Sequence, residues 1–214
     1  MTNSTKSTAS PVRRGRPAGD GKQRLDTRQS LVRYGVELLT EQGFGSTGID
    51  QILRHLNVPK GSFYHYFSSK EAFGLAVIDS YADYFQQKLD RWLTDTRLTP
   101  LTRPDRFMED ARRSMIRYDF KRGCLIGNLS QEFGRSHLIF SERLEQIFND
   151  WQQRLKVCLD QAVEGEELSN GVNTEQLASF FWIGWEGAVM RARLTRSDKP
   201  LLLFANTYFH LLKK

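Results

Sequence analysis

The chain has 214 residues, of which 39% are hydrophobic and 26% are charged, values typical of a globular protein with a substantial core. No apolar run approaches the roughly 20 residues of a membrane helix, and the first residues lack the apolar segment of a secretory signal, so we expect a cytoplasmic protein. Cys124 and Cys158 predict free thiols, and the four histidines lack the spacing of a metal site. We therefore expect no cofactor.

The net charge of +6 is concentrated at one end of the chain. Residues 1–70 contain 11 Lys and Arg against 5 Asp and Glu, whereas residues 71–214 contain 20 of each kind. This asymmetry predicts a basic module that meets a polyanion, joined to a neutral module with another task. A solvated basic tail is the alternative that charge alone leaves open.

The apolar pattern predicts an all-α protein in three parts. Residues 1–23 are polar and rich in Gly, Pro and Arg, which indicates a flexible basic arm. A helical pattern starts at Asp26, and residues 24–70 form a first domain of short helices. Residues 71–214 form a larger helical domain, with helices predicted at 71–93, 104–119, 124–134, 138–164, 174–194 and 198–212.

Two capped helices flank a tight turn in the first domain. In "STGIDQILRHL", Thr47 precedes Asp50 by three residues, which is the spacing of a capping box. "NVPKG" interrupts the helical pattern, and a short helix follows from Lys60 to Phe67. Ser68, three residues before Glu71, predicts the cap of the next helix.

The short helix carries five consecutive rings, "FYHYF", from Phe63 to Phe67. Residues three and four apart share a helix face, so Phe63, Tyr66 and Phe67 are expected to pack inward. The outward side chains can all donate hydrogen bonds and include no carboxylate: Lys60, Ser62, Tyr64 and His65. This pattern is typical of a helix-turn-helix whose second helix enters the major groove, although an ordinary aromatic core helix is the alternative.

The segment "GFGSTGIDQILRHLNVPKGSFYHYFSSKEAFGLAVI" closely resembles the DNA-binding region of the TetR family of bacterial repressors. The resemblance implies an all-helical homodimer that binds operator DNA and is released by a small inducer held in the larger domain. It also implies that Tyr64 and Lys70 contact phosphate and that Thr47 touches the DNA backbone. The recognition face would comprise Lys60, Gly61, Ser62 and His65.

The arm contains "RRGRP", residues 13–17, which resembles the core of an AT-hook. Gly15 and Pro17 keep this ribbon narrow and extended, so its guanidinium groups fit the negative minor groove of A·T-rich DNA. We expect Arg13, Arg14 and Arg16 to add affinity that falls with salt, unless the arm is only a disordered basic tail.

Cys124 opens a predicted helix just after Lys121 and Arg122. A helix N-terminus and nearby cations both favour a thiolate, so Cys124 is a candidate reactive or ligand-contacting thiol. The alternative is a small residue packed at a tight bend, and Cys158 is expected to be ordinary packing.

Glu186 is the one charged residue between Phe180 and Met190 in "FFWIGWEGAVMRARL". A carboxylate in so apolar a helix needs a partner or a proton. Trp182 and Trp185 suggest an aromatic-walled pocket, and the alternative is a dimer interface in which Glu186 pairs with an arginine of the second subunit. Both can hold if the two faces of the helix differ.

"RRGRP", "PKGSFYHYF", "RGCLIGNLSQEFG" and "FWIGWEGA" together resemble the acrylate-responsive subgroup of the TetR family and, more distantly, the subgroup that responds to N-ethylmaleimide and other electrophiles. The resemblance implies a small inducer, acrylate or a related α,β-unsaturated compound, and pocket residues at Tyr118, Cys124, Asn128, Trp185, Glu186 and Arg191. Covalent modification of Cys124 is the alternative mode of sensing.

Two other classes of protein are less compatible with the sequence. An enzyme is disfavoured, because a catalytic cysteine would need a histidine base and no local signature, phosphate-binding loop or metal spacing is present. An architectural DNA-binding protein would not need the large neutral domain.

Overall fold

Helices account for all the regular structure in the part of the chain that the structure describes. The computed structural model describes residues 21–134 and 137–212. The helices in those ranges are α1 (Gly21–Gln42), α2 (Ile49–His55), α3 (Lys60–Tyr66), α4 (Lys70–Leu93), α5 (Thr102–Arg117), α6 (Leu125–Phe133), α7 (Leu138–Glu164), α8 (Thr174–Thr195) and α9 (Lys199–Leu212). The all-α prediction is confirmed. Within the same ranges, no helix is long and apolar enough to cross a lipid bilayer.

The first helix begins earlier than the sequence pattern predicted. α1 starts at Gly21 rather than near Asp26, and none of the side chains from Asp26 to Ser30 is buried. Apolar periodicity detects only the part of a helix that packs against a core, so it does not fix the residue at which a helix starts. The rest of the predicted arm lies outside the described residues, including Arg13, Arg14 and Arg16.

The helix-turn-helix is formed by α2 and α3, which contact each other, while α2 also packs on α1. Asn57 takes a left-handed φ of 52° in the turn, a conformation that asparagine tolerates better than most residues, and Pro59 leads into α3. Phe63 and Phe67 are almost fully buried, with ring centroids 5.5 and 5.1 Å from that of Phe73 in α4. The predicted inward face of the aromatic run is therefore confirmed.

The capping box predicted for α2 is wrong. The residue at the N-cap is Gly48, and no side chain caps the helix there. Thr47 is only 1% exposed, and its hydroxyl donates a hydrogen bond of 2.6 Å to the carbonyl of Gly43. The buried hydroxyl of Thr47 therefore binds the loop before α2 and does not cap α2.

The cap of α4 is displaced by one residue from its predicted position. Ser69, not Ser68, is the N-cap, and its hydroxyl accepts a hydrogen bond of 3.1 Å from the amide of Ala72. Adjacent serines offer the same chemistry, so the sequence spacing alone could not choose between them.

The helix α4 connects the two halves of the fold, since it packs on α1 and also on α5 and α7. An aromatic cluster fills the core of the larger half. The Trp151 ring lies 4.3 Å from Phe85 and 5.2 Å from Trp182 by centroid, and Phe107 lies 5.9 Å from Trp182. Truncating one such ring to alanine removes roughly 3–5 kcal/mol of stability in a typical core.

We predict that Ser69→Ala lowers the free energy of unfolding by about 1 kcal/mol, because the amide at the start of α4 loses its side-chain acceptor. Ser68→Ala is the matched control and should change stability by less than about 0.5 kcal/mol. Urea unfolding followed by circular dichroism measures both. Equal effects at the two serines would contradict the assignment of the cap.

Candidate functional site

The outward face of α3 presents the side chains expected to meet DNA. Tyr64 is 54% exposed, His65 is exposed, and Ser62 is half-buried. Lys60 lies at the start of the helix, where its Nζ is 3.0 Å from a carboxylate oxygen of Asp50 in α2. Both of those side chains are 64% exposed, so the pair is easily exchanged for another anion. Gly61 is also exposed, with open space where a Cβ would stand.

Two residues expected at the DNA backbone have their polar groups engaged inside the protein. Lys70 donates a hydrogen bond of 2.8 Å to the carbonyl of Phe44, and its Nζ lies 4.5 Å from the centroid of that ring. Thr47 is buried with its hydroxyl bound to Gly43, so its side chain is not presented to a ligand. The side chain of Thr47 is thus turned into the protein instead of toward DNA. The ammonium of Lys70 also makes contacts within the protein.

A contact that the sequence did not indicate holds the loop between α1 and α2. Glu132 of α6 accepts a hydrogen bond of 2.8 Å from the amide of Phe44 and another from the amide of Gly45. Gly43 makes the preceding turn with a φ of 83°, in the left-handed region that favours glycine. We call the contacts of Glu132 and Lys70 with the Phe44–Gly45 backbone the loop clamp.

Further contacts tie the C-terminal part of α1 to the larger domain. Arg122 pairs with Glu41 at 2.8 Å and with Glu37 at 3.3 Å. Asn128 donates a hydrogen bond of 3.1 Å to the carbonyl of Thr40. Asn128, a predicted ligand contact, therefore lies at this junction and lines a small pocket there.

A cavity of about 1010 Å³ lies between α1, α4, α5 and α8. Its wall includes four of the residues predicted to contact a ligand, namely Tyr118, Cys124, Trp185 and Glu186. Arg191, also predicted as a ligand contact, is exposed and is not among the residues that line this cavity. Tyr81 of α4 also lines the cavity. The sequence did not indicate this, because nothing in its local pattern distinguishes Tyr81 from a core tyrosine.

Three titratable side chains meet in the wall of this cavity. The Cys124 thiol is within hydrogen-bonding reach of the Tyr81 hydroxyl and of the Glu186 carboxyl. Burial, followed by the influence of Cys124 and Glu186, raises the pKa of Tyr81 well above its usual range. The three side chains therefore lie close enough for each to influence the ionisation of another.

The environment of Cys124 opposes the predicted thiolate. Burial, with the neighbouring Glu186 carboxyl as the next cause, raises the pKa of the thiol well above its ordinary value. The sulfur does cap α6, accepting a hydrogen bond from the amide of Gly127 at 3.4 Å. Arg122, expected to favour a thiolate, is instead engaged by carboxylates of α1.

The pKa of the Glu186 carboxyl lies near neutral pH. Burial raises its pKa to about 7, and the hydrogen bond with Cys124 offsets only part of that shift. Its Oε1 is buried and has no hydrogen-bond partner among the described residues. A Cβ at Gly127 would lie 2.0 Å from Oε2, so the carboxyl faces α6 within the same chain. This placement does not support the alternative of a pair with an arginine of a second subunit.

An exposed helix-turn-helix joined to a larger helical half, with a cavity between α1 and that half, is typical of a transcriptional regulator. Residues 31–77 match the family model for bacterial regulatory proteins of the tetR family, and residues 100–208 match the tetracyclin repressor-like C-terminal domain. The chain therefore belongs to the TetR family of transcriptional regulators and is not an enzyme.

Individual relatives support the same assignment. The chain is 44% identical over 208 residues to the transcriptional regulator AcuR of Cereibacter sphaeroides, which covers 97% of this chain and 94% of that protein. It is 31% identical over 180 residues to the HTH-type transcriptional repressor NemR of Escherichia coli K12, covering 82% and 88%. A crystal structure of regulatory protein TetR from Rhodobacter sphaeroides, 46% identical, superimposes with a TM-score of 0.81 over 84% of this chain and 95% of that one.

Proposed function

We propose that the protein is a cytoplasmic homodimeric repressor, released from its operator by a small α,β-unsaturated acid such as acrylate. Residues 24–70 serve as the DNA-binding domain and residues 71–214 as the ligand-binding and dimerisation domain. The observation that carries the proposal is the cavity whose wall joins Tyr81, Cys124 and Glu186 beside α1, the helix that supports the helix-turn-helix.

Reversible binding of the inducer is favoured over covalent addition to Cys124. A thiol must lose its proton to attack an alkene, and the surroundings of Cys124 raise its pKa. The flat indole of Trp185 and the donors of Tyr81 and Cys124 are suited to a small planar acid that is held without a bond.

On the DNA side, Tyr64 and Lys70 contact phosphate, while Lys60, Gly61, Ser62 and His65 face base edges. The exposure of the Tyr64 side chain supports the first role. The N-terminal position of Lys60 supports the second, because the first residues of a recognition helix approach base edges most closely. Arg13, Arg14 and Arg16 add contacts in the minor groove.

The outward faces of α8 and α9 form the dimer interface. Large apolar side chains are exposed on both helices, at Phe180, Ile183, Met190, Leu194, Leu202, Leu203 and Leu211. Trp185 lies on another face of α8 and, together with Glu186, lines the cavity. Exposed apolar side chains on two helices that pack together are typical of a protein interface.

Induction is linkage between the cavity and the DNA-binding surface. Two recognition helices must lie roughly 34–36 Å apart to occupy successive major grooves. An inducer that binds better to a conformation with another spacing weakens DNA binding by its difference in affinity for the two states. The loop clamp and the ion pairs of Arg122 connect the two domains. Through these contacts a change at the cavity alters the position of the recognition helix.

We expect Tyr64→Phe to weaken binding to operator and to unrelated DNA by a similar factor, about tenfold, since a hydrogen bond to phosphate carries no sequence information. Lys60→Ala should instead alter the relative affinity for operator variants. Fluorescence anisotropy with labelled duplexes measures both. Tyr84→Phe, a similarly exposed tyrosine of α4 at 60%, is the control, and an equal loss in it would contradict the role of Tyr64.

Ile183→Glu should produce a monomer that no longer binds operator tightly, because it places a charge in the proposed interface. Sedimentation equilibrium reports the mass, and circular dichroism confirms that the helices remain. Leu138→Glu is the control, since this side chain is exposed at 69% against 72% for Ile183 but lies at the start of α7. A dimeric Ile183→Glu protein would contradict the interface.

Acrylate is expected to release labelled operator from the protein at lower concentrations than propionate, a saturated acid of nearly the same size. Dilution of the acid should restore binding, and the intact mass should be unchanged after exposure. Failure of both acids to release operator would remove the proposed inducer. A mass increase at Cys124 accompanied by lasting release would contradict reversible sensing.

A further inference from the structure

The part of the cavity wall around Glu186 can offer hydrogen-bond donors to an anion, but no basic side chain among the described residues acts on that carboxyl. Glu186 shows this most clearly, because only burial and Cys124 influence its pKa and no basic side chain contributes. Its Oε1 is buried without a hydrogen-bond partner among the described residues. An ionised ligand placed here would therefore meet an acidic group rather than a cation.

The basic side chains that line the wider cavity are engaged or exposed. Arg122 is paired with two glutamates of α1, and Lys88 pairs with Asp110 at 2.9 Å. The guanidinium of Arg28 lies 5.2 Å from the centroid of the Phe67 ring, and Arg33 is exposed. None of these groups neutralises a charge beside Glu186.

We propose that the cavity binds a small monocarboxylate together with one proton, which Glu186 and the ligand share in a hydrogen bond. The proton comes from solvent: a carboxylate ligand, an ionised Glu186 and one proton give a hydrogen-bonded acid–carboxylate pair, with no other bond made or broken. This inference rests on the proposed function, since it concerns the same cavity and class of inducer.

The surroundings of Glu186 fit such a pair. The groups that face it are Tyr81 from α4 and Cys124 from the segment before α6, and both stay neutral because their pKa values are raised. They can donate hydrogen bonds to the ligand. Gly127, in the first turn of α6, leaves the space that the Glu186 carboxyl occupies.

The direction of the pH dependence follows from the proton balance. Below about pH 7 Glu186 already carries its proton. Ligand binding then takes up almost no further proton, so the affinity for the carboxylate does not change with pH. Above that pH the site must acquire a proton, so the affinity for a carboxylate should fall about tenfold for each pH unit. The change lies in ligand affinity and needs no operator to be observed.

Isothermal titration calorimetry with acrylate and with propionate tests the inference. Titrations in two buffers of different ionisation enthalpy, at about pH 6 and about pH 8.5, give both Kd and proton uptake. We expect uptake close to one proton at the higher pH and close to none at the lower. Acrylamide, a neutral analogue with an N–H donor for the ionised carboxylate, should not lose affinity as pH rises.

Glu186→Gln separates this mechanism from a merely structural role. The amide is neutral at every pH, so the variant should bind acrylate without proton uptake and without the loss of affinity at high pH. Glu142→Gln, an exposed glutamate of α7, should behave as wild type. Circular dichroism checks the fold of both variants.

Three results would overturn the inference: wild-type binding that does not depend on pH, proton uptake that persists in Glu186→Gln, or no binding of either acid at any pH. Operator release is measured separately by anisotropy. Proton-linked binding without release would support the inference while counting against the proposed role as inducer site.

Discussion

The loop clamp fixes the DNA-binding domain to the domain that holds the cavity. Glu132 satisfies two adjacent backbone amides of the loop after α1, while Lys70 binds the carbonyl of Phe44 from the other side. The Phe44 ring packs at the same place, with its centroid 5.2 Å from Phe133 and 5.3 Å from Phe140. Because α2 begins a few residues later, the orientation of the recognition helix depends on this attachment.

The helix that supplies the clamp also begins at the cavity. Cys124 caps α6 beside Glu186, and Glu132 lies one residue before the other end of the helix. Nine residues of α-helix span only about 13 Å, so the two ends behave as parts of one short rigid body. A ligand that displaces the first turn of α6 therefore has a short route to the loop that carries the helix-turn-helix.

The sequence predicted periodic features well, but it predicted helix caps and interactions between distant residues poorly. Helix positions and the buried face of α3 follow from spacing within a few turns, and the structure confirms them. The thiolate prediction for Cys124 relied on Arg122 as a neighbour in sequence, yet the fold turns that guanidinium toward α1. Glu132 and Tyr81 left no trace in the sequence pattern, because their partners lie far along the chain.

The loop clamp acts mainly on main-chain N–H and C=O groups, which every amino acid except proline supplies. Its hydrogen bonds reach the amides of Phe44 and Gly45 and the carbonyl of Phe44, and none depends on a side chain of α2 or α3. Substitutions at the outward positions of α3 can therefore accumulate without loosening the attachment. Descendants of one ancestral regulator can thus acquire new binding sites on the genome while they continue to respond to the same compound.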